Sequence, residues 1–182
     1  VRALRVALFL ELLHEPLDEL ALEAREVVHE ERALEVVVLV LEGDRETPLP
    51  WSNVIANPDF GTMVSASGAT FTWSENSREN RLTTFANDPV ADPTAEAWFI
   101  RDDVSGERWS PTPGPMRRDG KSGRIVIEHA AGLTRFSRVH RGIRHTLEVF
   151  VDAVDPVKFS VLTLDNLGPD ARSLSLIAYN DW

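Results

Sequence analysis

Between Trp51 and Pro89 the chain concentrates side chains suited to holding a polyhydroxylated ligand. Asn53, Asn57, Asn76, Arg78, Glu79, Asn80, Arg81, Asn87 and Asp88 are interleaved with Trp51, Phe60, Phe71, Trp73 and Phe85. Planar amides and guanidinium groups pair with neighbouring hydroxyls, and aromatic faces stack on the C–H face of a sugar ring. The same residue types also build polar turns between strands, so a scaffold role is the competing reading.

Other chemistries find less support. Cleavage of a glycosidic bond needs a carboxylic acid facing the glycosidic oxygen. Asp102-Asp103 reads as hairpin-turn chemistry. Glu75 and Glu79 lie near the polar cluster, but an ion pair of Glu79 with Arg78 or Arg81 is the simpler role. No residue is therefore assigned as catalytic. The five histidines are His14, His29, His129, His140 and His145. His140 and His145 could face one another across a hairpin, yet no carboxylate sits beside them at ligand spacing, and no metal is assigned. Ser65, Ser67 and Gly68 lack the spacing of a nucleophile elbow. No glycine-rich phosphate loop is present, so no nucleotide or other cofactor is expected. Trp73 and Trp109 end strands near polar loops and are candidate sugar platforms. Trp98 and Phe99 are neighbours on a strand, so one faces inward and one outward.

Composition sets the bounds. A chain of 182 residues with 43% hydrophobic and 26% charged residues can bury one good core. Its net charge of −10 argues against nucleic acid and against docking on anionic lipid. With no cysteine, disulfides, thiolate metal sites and a cysteine nucleophile are excluded. Residues Val1 to Leu13 are apolar but carry Arg2, Arg5 and Glu11, and the run is too short to span a bilayer. It has no signal-type cleavage site. The expected compartment is the cytoplasm. Because the chain begins at Val, it is expected to be a fragment of something longer.

The first quarter differs in texture from the rest. Leu17, Leu20, Ala21, Ala24, Val27 and Val28 recur at helical spacing, with acidic residues outside, which fits an amphipathic helix after Pro16. Alternation at Leu20, Leu22 and Ala24 offers a competing strand. Leu34 to Leu41 is a continuous apolar, β-branched run and reads as a buried strand. From Thr47 the pattern is all-β. Hairpins are expected at Met63–Trp73 around Ser67-Gly68, at Ala95–Ser110 around 102–106, and at Thr134–Val151 around Arg141-Gly142. Further strands are expected at Gly123–His129, Val157–Leu164 and Ser173–Tyr179. Short strands at this spacing indicate an antiparallel sandwich or barrel.

The strings PWSNVIANPDFG and TFTWSENSRENRLTTFANDPVADP carry a resemblance. So do EAWFIRDDVSGERWSPTPGPMR, GLTRFSRVHRGIRHTLEVFV and DPVKFSVLTLDNLGPDARSLSLIAYNDW. Together they resemble the amino-terminal super-sandwich domain of the inverting glycoside phosphorylases, once grouped as glycosyltransferase family 36. That group contains cellobiose and chitobiose phosphorylases, and the chain looks closest to the version in cyclic β-1,2-glucan synthases. The resemblance implies a mainly β fold, a galactose-mutarotase-like antiparallel super-sandwich over residues 47–182. Residues 1–46 lack the glycine- and aromatic-rich segment usual before the PWxNVIANP string, and are set apart as an amino-terminal segment.

In the family an (α/α)6 barrel carries the catalytic acid and the phosphate site, and nothing here resembles it. The implied role is an accessory carbohydrate-binding domain of a β-glucan phosphorylase or cyclic β-1,2-glucan synthase. Trp73, Asn76, Arg78, Glu79, Asn80, Arg81 and Asn87 would face the substrate cleft. The implied partners are an oligosaccharide or β-glucan, the catalytic domain of the parent, and a second copy in a homodimer. No nucleic acid and no direct membrane contact are expected, although a glucan-synthase parent would carry spans of the inner membrane elsewhere. The alternatives are a free-standing lectin-like carbohydrate-binding module and a purely structural or dimerisation domain.

Overall fold

Alternation of apolar and polar residues runs through most of the chain after Thr47, and it sets one side of each strand against a common core. The computed structural model describes residues 3–10, 36–43, 45–116 and 123–182, the first of these by backbone alone. Among the described residues every regular element is a β-strand. They are β1 (Ala3–Leu10), β2 (Val37–Leu41), β3 (Ser52–Ala56), β4 (Phe60–Ser65), β5 (Thr70–Ser74) and β6 (Glu96–Asp102). There follow β7 (Arg108–Trp109), β8 (Ile125–Ala130), β9 (Leu133–His140), β10 (Ile143–Val151), β11 (Lys158–Asn166) and β12 (Leu174–Asn180).

A six-stranded sheet has the order β1-β11-β10-β9-β8-β2, and two three-stranded sheets have the orders β12-β6-β7 and β3-β4-β5. Every pairing is antiparallel. In the large sheet the register aligns Ile127, Phe136, Leu147 and Leu162 side by side. All are buried, and they pack with Phe60, Val64, Ile100 and Trp109 of the smaller sheets in one apolar cluster. The molecule is therefore a mainly β, antiparallel sandwich. The three expected hairpins are present as β4–β5, β6–β7 and β9–β10.

Two asparagines of the PWSNVIANP string tie the layers together. Asn53 Nδ2 donates to the carbonyls of Ala130 and Leu133 at 2.8 and 3.1 Å, and to Thr134 Oγ1 at 3.1 Å. Asn57 Nδ2 donates to the carbonyls of Asp152 and Asp155 at 3.0 and 2.8 Å. Its Oδ1 accepts from the N–H groups of Asp59 and Phe60. A primary amide can satisfy several backbone groups at once, and here it joins the β3–β4 hairpin to the far sheet.

Several expectations meet a different outcome. The run Leu34 to Leu41 was expected to be buried, but β2 is an edge strand. Leu39 turns inward, at 8% exposure, and Leu41 packs half-buried against the core, while Val37, Val38 and Val40 stand at 52, 55 and 45%. Trp109 is a core residue at 2% exposure, so it is no stacking platform. The apolar run at the amino terminus contributes β1, an edge strand of the large sheet, and β3 also forms where no strand was expected. The helix expected over residues 17–28 lies outside the described residues.

Candidate functional site

Trp73 is placed by a gap in the neighbouring strand. It pairs across the ladder with Gly61, where a Cβ would overlap the indole ring. The ring thus lies over the backbone of β4, half-buried, and its position requires glycine beneath it. Phe71 stands 5.3 Å from Trp73 and 4.4 Å from Phe85 between ring centroids. The Arg81 guanidinium sits over the Phe85 ring at 5.4 Å. These side chains form an aromatic ledge at one end of the β3-β4-β5 sheet.

A tight loop leaves the ledge and returns to it. Glu75 has a φ of 59°, a left-handed conformation that turns the chain sharply out of β5. Asn76 Oδ1 accepts from the N–H groups of Arg78 and Glu79 at 2.9 and 3.0 Å, an Asx turn. The Asn80 carbonyl accepts from the Ser74 N–H, and a bridge pairs Arg81 with Trp73. Arg81 Nε donates to the Ser77 carbonyl at 3.1 Å. Arg78 and Glu79 form an exposed ion pair at 3.3 Å, as the sequence suggested.

The structure thus brings Trp73, Asn76, Arg78, Glu79, Asn80 and Arg81 into one closed loop. Asn87 lies further on, before a second Asx turn in which Asp88 Oδ1 accepts from Val90 and Ala91. Asn80 and Asn87 are exposed and make no side-chain hydrogen bond among the described residues. Asn76 spends its oxygen locally and keeps only its N–H groups for a ligand.

The loop is held from below by a buried polar cluster. Thr83 Oγ1 accepts from the Thr72 N–H at 2.8 Å and donates to Glu96 Oε1 at 2.9 Å. Thr72 Oγ1 donates to the same oxygen at 2.5 Å. Lys158 on β11, 3% exposed, pairs with Glu96 Oε2 and donates to Thr72 Oγ1 at 3.2 Å. Burial pushes the Glu96 carboxyl up, but Lys158 and the two threonine hydroxyls outweigh it and hold the group below its usual range. Thr84 donates its N–H to the Asp181 carbonyl and its hydroxyl to the Asp181 carboxylate. The loop is thereby tied to the end of β12 as well.

Asp102 and the histidines of β9 and β10 sit in structural contacts. Asp102 accepts from the N–H groups of Ser105 and Val104 and pairs with Arg172, which holds its carboxyl well below the ordinary range. Asp88, Glu96 and Asp102 are all lowered, the opposite of what a general acid for glycosidic cleavage needs. His145 lies opposite Arg138 rather than His140. It is fully buried, and its ring nitrogens have no hydrogen-bond partner among the described residues. Burial, then the charge of Arg138 and the nearness of His140, lowers it to about 3. His140 is close to Arg138 Nη2 at 3.2 Å and to Glu107 at 3.4 Å. Among the described residues no cluster of side chains has the makeup of a metal site.

Comparison with known proteins matches residues 35–182 to the model of the glycosyl hydrolase 94 supersandwich domain. The chain belongs to this family. The cyclic beta-(1,2)-glucan synthase of Rhizobium meliloti (strain 1021) is 39% identical over 142 residues, which is 78% of this chain and 5% of the synthase. The N,N'-diacetylchitobiose phosphorylase of Vibrio furnissii is 22% identical over 134 residues, 74% of this chain and 17% of that enzyme. The solabiose phosphorylase of Paenibacillus borealis is 34% identical over 82 residues, 45% of this chain and 10% of the enzyme. The chain thus spans a small part of these carbohydrate-active enzymes, and it corresponds to their supersandwich domain.

The sequence missed the clamp roles of Asn53 and Asn57 and the buried Glu96–Lys158 pair. The signal for the clamp was available only as two asparagines flanking a strand. For the ion pair there was none, because Glu96 and Lys158 lie far apart in the chain and meet only across the sandwich.

Proposed function

We propose that this chain is the accessory, carbohydrate-facing domain of a β-glucan phosphorylase or cyclic β-1,2-glucan synthase. In this reading it shapes the substrate cleft beside an (α/α)6 catalytic domain of the same parent, and the Trp73–Asn87 loop is the surface that meets the glucan. The observation that carries the reading is the juxtaposition of a half-buried Trp73 ledge with outward amide and guanidinium groups on a rigid loop. Kinship with enzymes named for glucan and disaccharide substrates supports a glucan or oligosaccharide as the ligand. The loop is preorganised by its Asx turn and by Thr83, so binding would cost little ordering entropy. Catalysis would come from the parent's other domain.

The test is titration of the chain with short β-1,2- and β-1,4-glucans, followed by Trp fluorescence, with Trp73→Ala and Asn80→Ala alongside. Saturable quenching that disappears in Trp73→Ala and weakens in Asn80→Ala is the expected result. Quenching that survives Trp73→Ala would refute the placement. No response at millimolar glucan would favour the scaffold reading of the loop.

A further inference from the structure

We propose a second glycosyl-binding subsite on this domain, distinct from the Trp73 ledge. It lies in a cleft of about 470 Å³ where the β4–β5 turn, the segment entering β6, strand β7 and the chain around Pro115 converge. This rests on the reading of the ligand class above, but not on the Trp73–Asn87 loop. The volume falls in the range of small-molecule sites and exceeds what one hexose fills.

The chemistry of the walls selects the ligand. Arg108 faces the cleft from β7 and is exposed. It pairs directly across the ladder with Arg101, also exposed, and makes no ion pair among the described residues. Like charges placed directly opposite destabilise a sheet, a cost that no carboxylate among the described residues relieves. A guanidinium left pointing at an open cleft is a set of donors in search of acceptors. Asp92 lines the other side. It accepts from Ser65 Oγ at 2.7 Å and from Ser67 Oγ, which fixes its orientation. Pro93, Pro115 and Met116 supply apolar wall.

A fixed carboxylate and the guanidinium groups of Arg108 and Arg138 on the walls of one cleft suit adjacent ring hydroxyls, which donate to the first and accept from the others. The apolar wall suits the C–H face of the sugar, while the charges exclude a wholly apolar ligand. A glucosyl unit of a β-glucan meets all of these conditions. Two subsites on one domain would let a single chain hold a glucan at two points, raising its apparent affinity by multivalency.

The test uses the indole N–H signals of the 182-residue chain in a proton–nitrogen correlation spectrum, titrated with sophorose and, separately, with inorganic phosphate. Trp109 borders the cleft and reports on it; Trp73 reports on the ledge. The expected result is a saturable shift of the Trp109 signal with sophorose, weakened roughly tenfold or more in Arg108→Ala and unchanged in Trp73→Ala. Arg108 is exposed, so its removal leaves the fold intact, checked by the dispersion of the other indole signals. A stationary Trp109 signal overturns the cleft subsite whatever Trp73 does. A Trp109 shift that disappears in Trp73→Ala, or that phosphate produces and sophorose does not, overturns it as well. A stationary Trp73 beside a moving Trp109 would refute the ledge reading alone.

Discussion

Removing the ammonium of Lys158 isolates the buried Glu96 carboxylate, and the consequences can be worked from the contacts. Lys158 is 3% exposed and the Glu96 side chain 11%. In Lys158→Met the carboxylate keeps the hydroxyls of Thr72 and Thr83 but loses its counter-charge. Breaking a buried pair by deleting one partner costs about 3–5 kcal/mol. Each hydroxyl bond to the charge is worth about 1.5–3 kcal/mol and remains, which places the expected loss near the lower end, about 3 kcal/mol. That is a large part of the ~5–15 kcal/mol that holds a domain of this kind.

Urea unfolding by circular dichroism measures the loss, and pH gives its signature. In the native chain the Glu96 carboxyl is lowered, so its contribution is present above the unfolded value near 4.5 and is lost on acidification below it. In the variant, desolvation without Lys158 raises the same carboxyl, and the penalty is relieved as pH falls toward the unfolded value near 4.5. The two pH dependences therefore have opposite sign. Lys158→Met combined with Glu96→Gln removes both charges and keeps an acceptor for the threonines. It should recover to within about 1–2 kcal/mol of the native chain. A cost below about 1 kcal/mol for Lys158→Met, or a double variant no better than the single one, would refute the argument.

His145→Phe should leave stability at neutral pH equal or raised, because the ring nitrogens it removes have no partner among the described residues. The native His145 is lowered to about 3, so its neutral form is the folded one; the stability it permits is whole above about 6.5 and falls away between there and about 3. Acid unfolding should thus shift to lower pH in the variant, and an unshifted midpoint would count against the burial argument. Gly61→Ala places a methyl group where the Trp73 indole lies, and should cost about 1–3 kcal/mol while moving Trp73 emission to the red. Unchanged emission would mean that the ring is not held over Gly61.

Period-two patterning and turn chemistry made most of the strands legible, and they did so where both signals agreed. Arg141-Gly142 sits between two alternating runs, and both of its residues take positive φ in the β9–β10 turn. The readings that failed are those where burial depends on what lies across the sheet. Val37, Val38 and Val40 have the composition of a core strand, yet β2 is the last strand of its sheet and its leucines, Leu39 and Leu41, are what meet the interior. Trp109 ends a strand of two residues beside a polar loop, which reads as exposed; the sandwich closes over it nonetheless.

The polar stretch from Trp51 to Pro89 divides along the same line. Composition alone treats Asn53, Asn57, Asn76, Asn80 and Asn87 as equivalent, but an asparagine's role is set by where its amide ends up. Asn53 and Asn57 face another layer across a short gap and satisfy part-buried carbonyls of Ala130, Leu133 and Asp152 that would otherwise be costly to leave unpaired. Asn76 faces its own backbone and makes a turn. Only Asn80 and Asn87 keep the whole amide outward. The clamps should therefore matter to stability and not to ligand, and the outward amides to ligand and not to stability. Asn53→Ala should lower the unfolding midpoint, with about 1–3 kcal/mol at stake for carbonyls left without a donor. Asn80→Ala should leave it unmoved while weakening glucan binding. If both variants lower stability equally, the loop is scaffold throughout, and its density of asparagine and aromatic residues serves the fold.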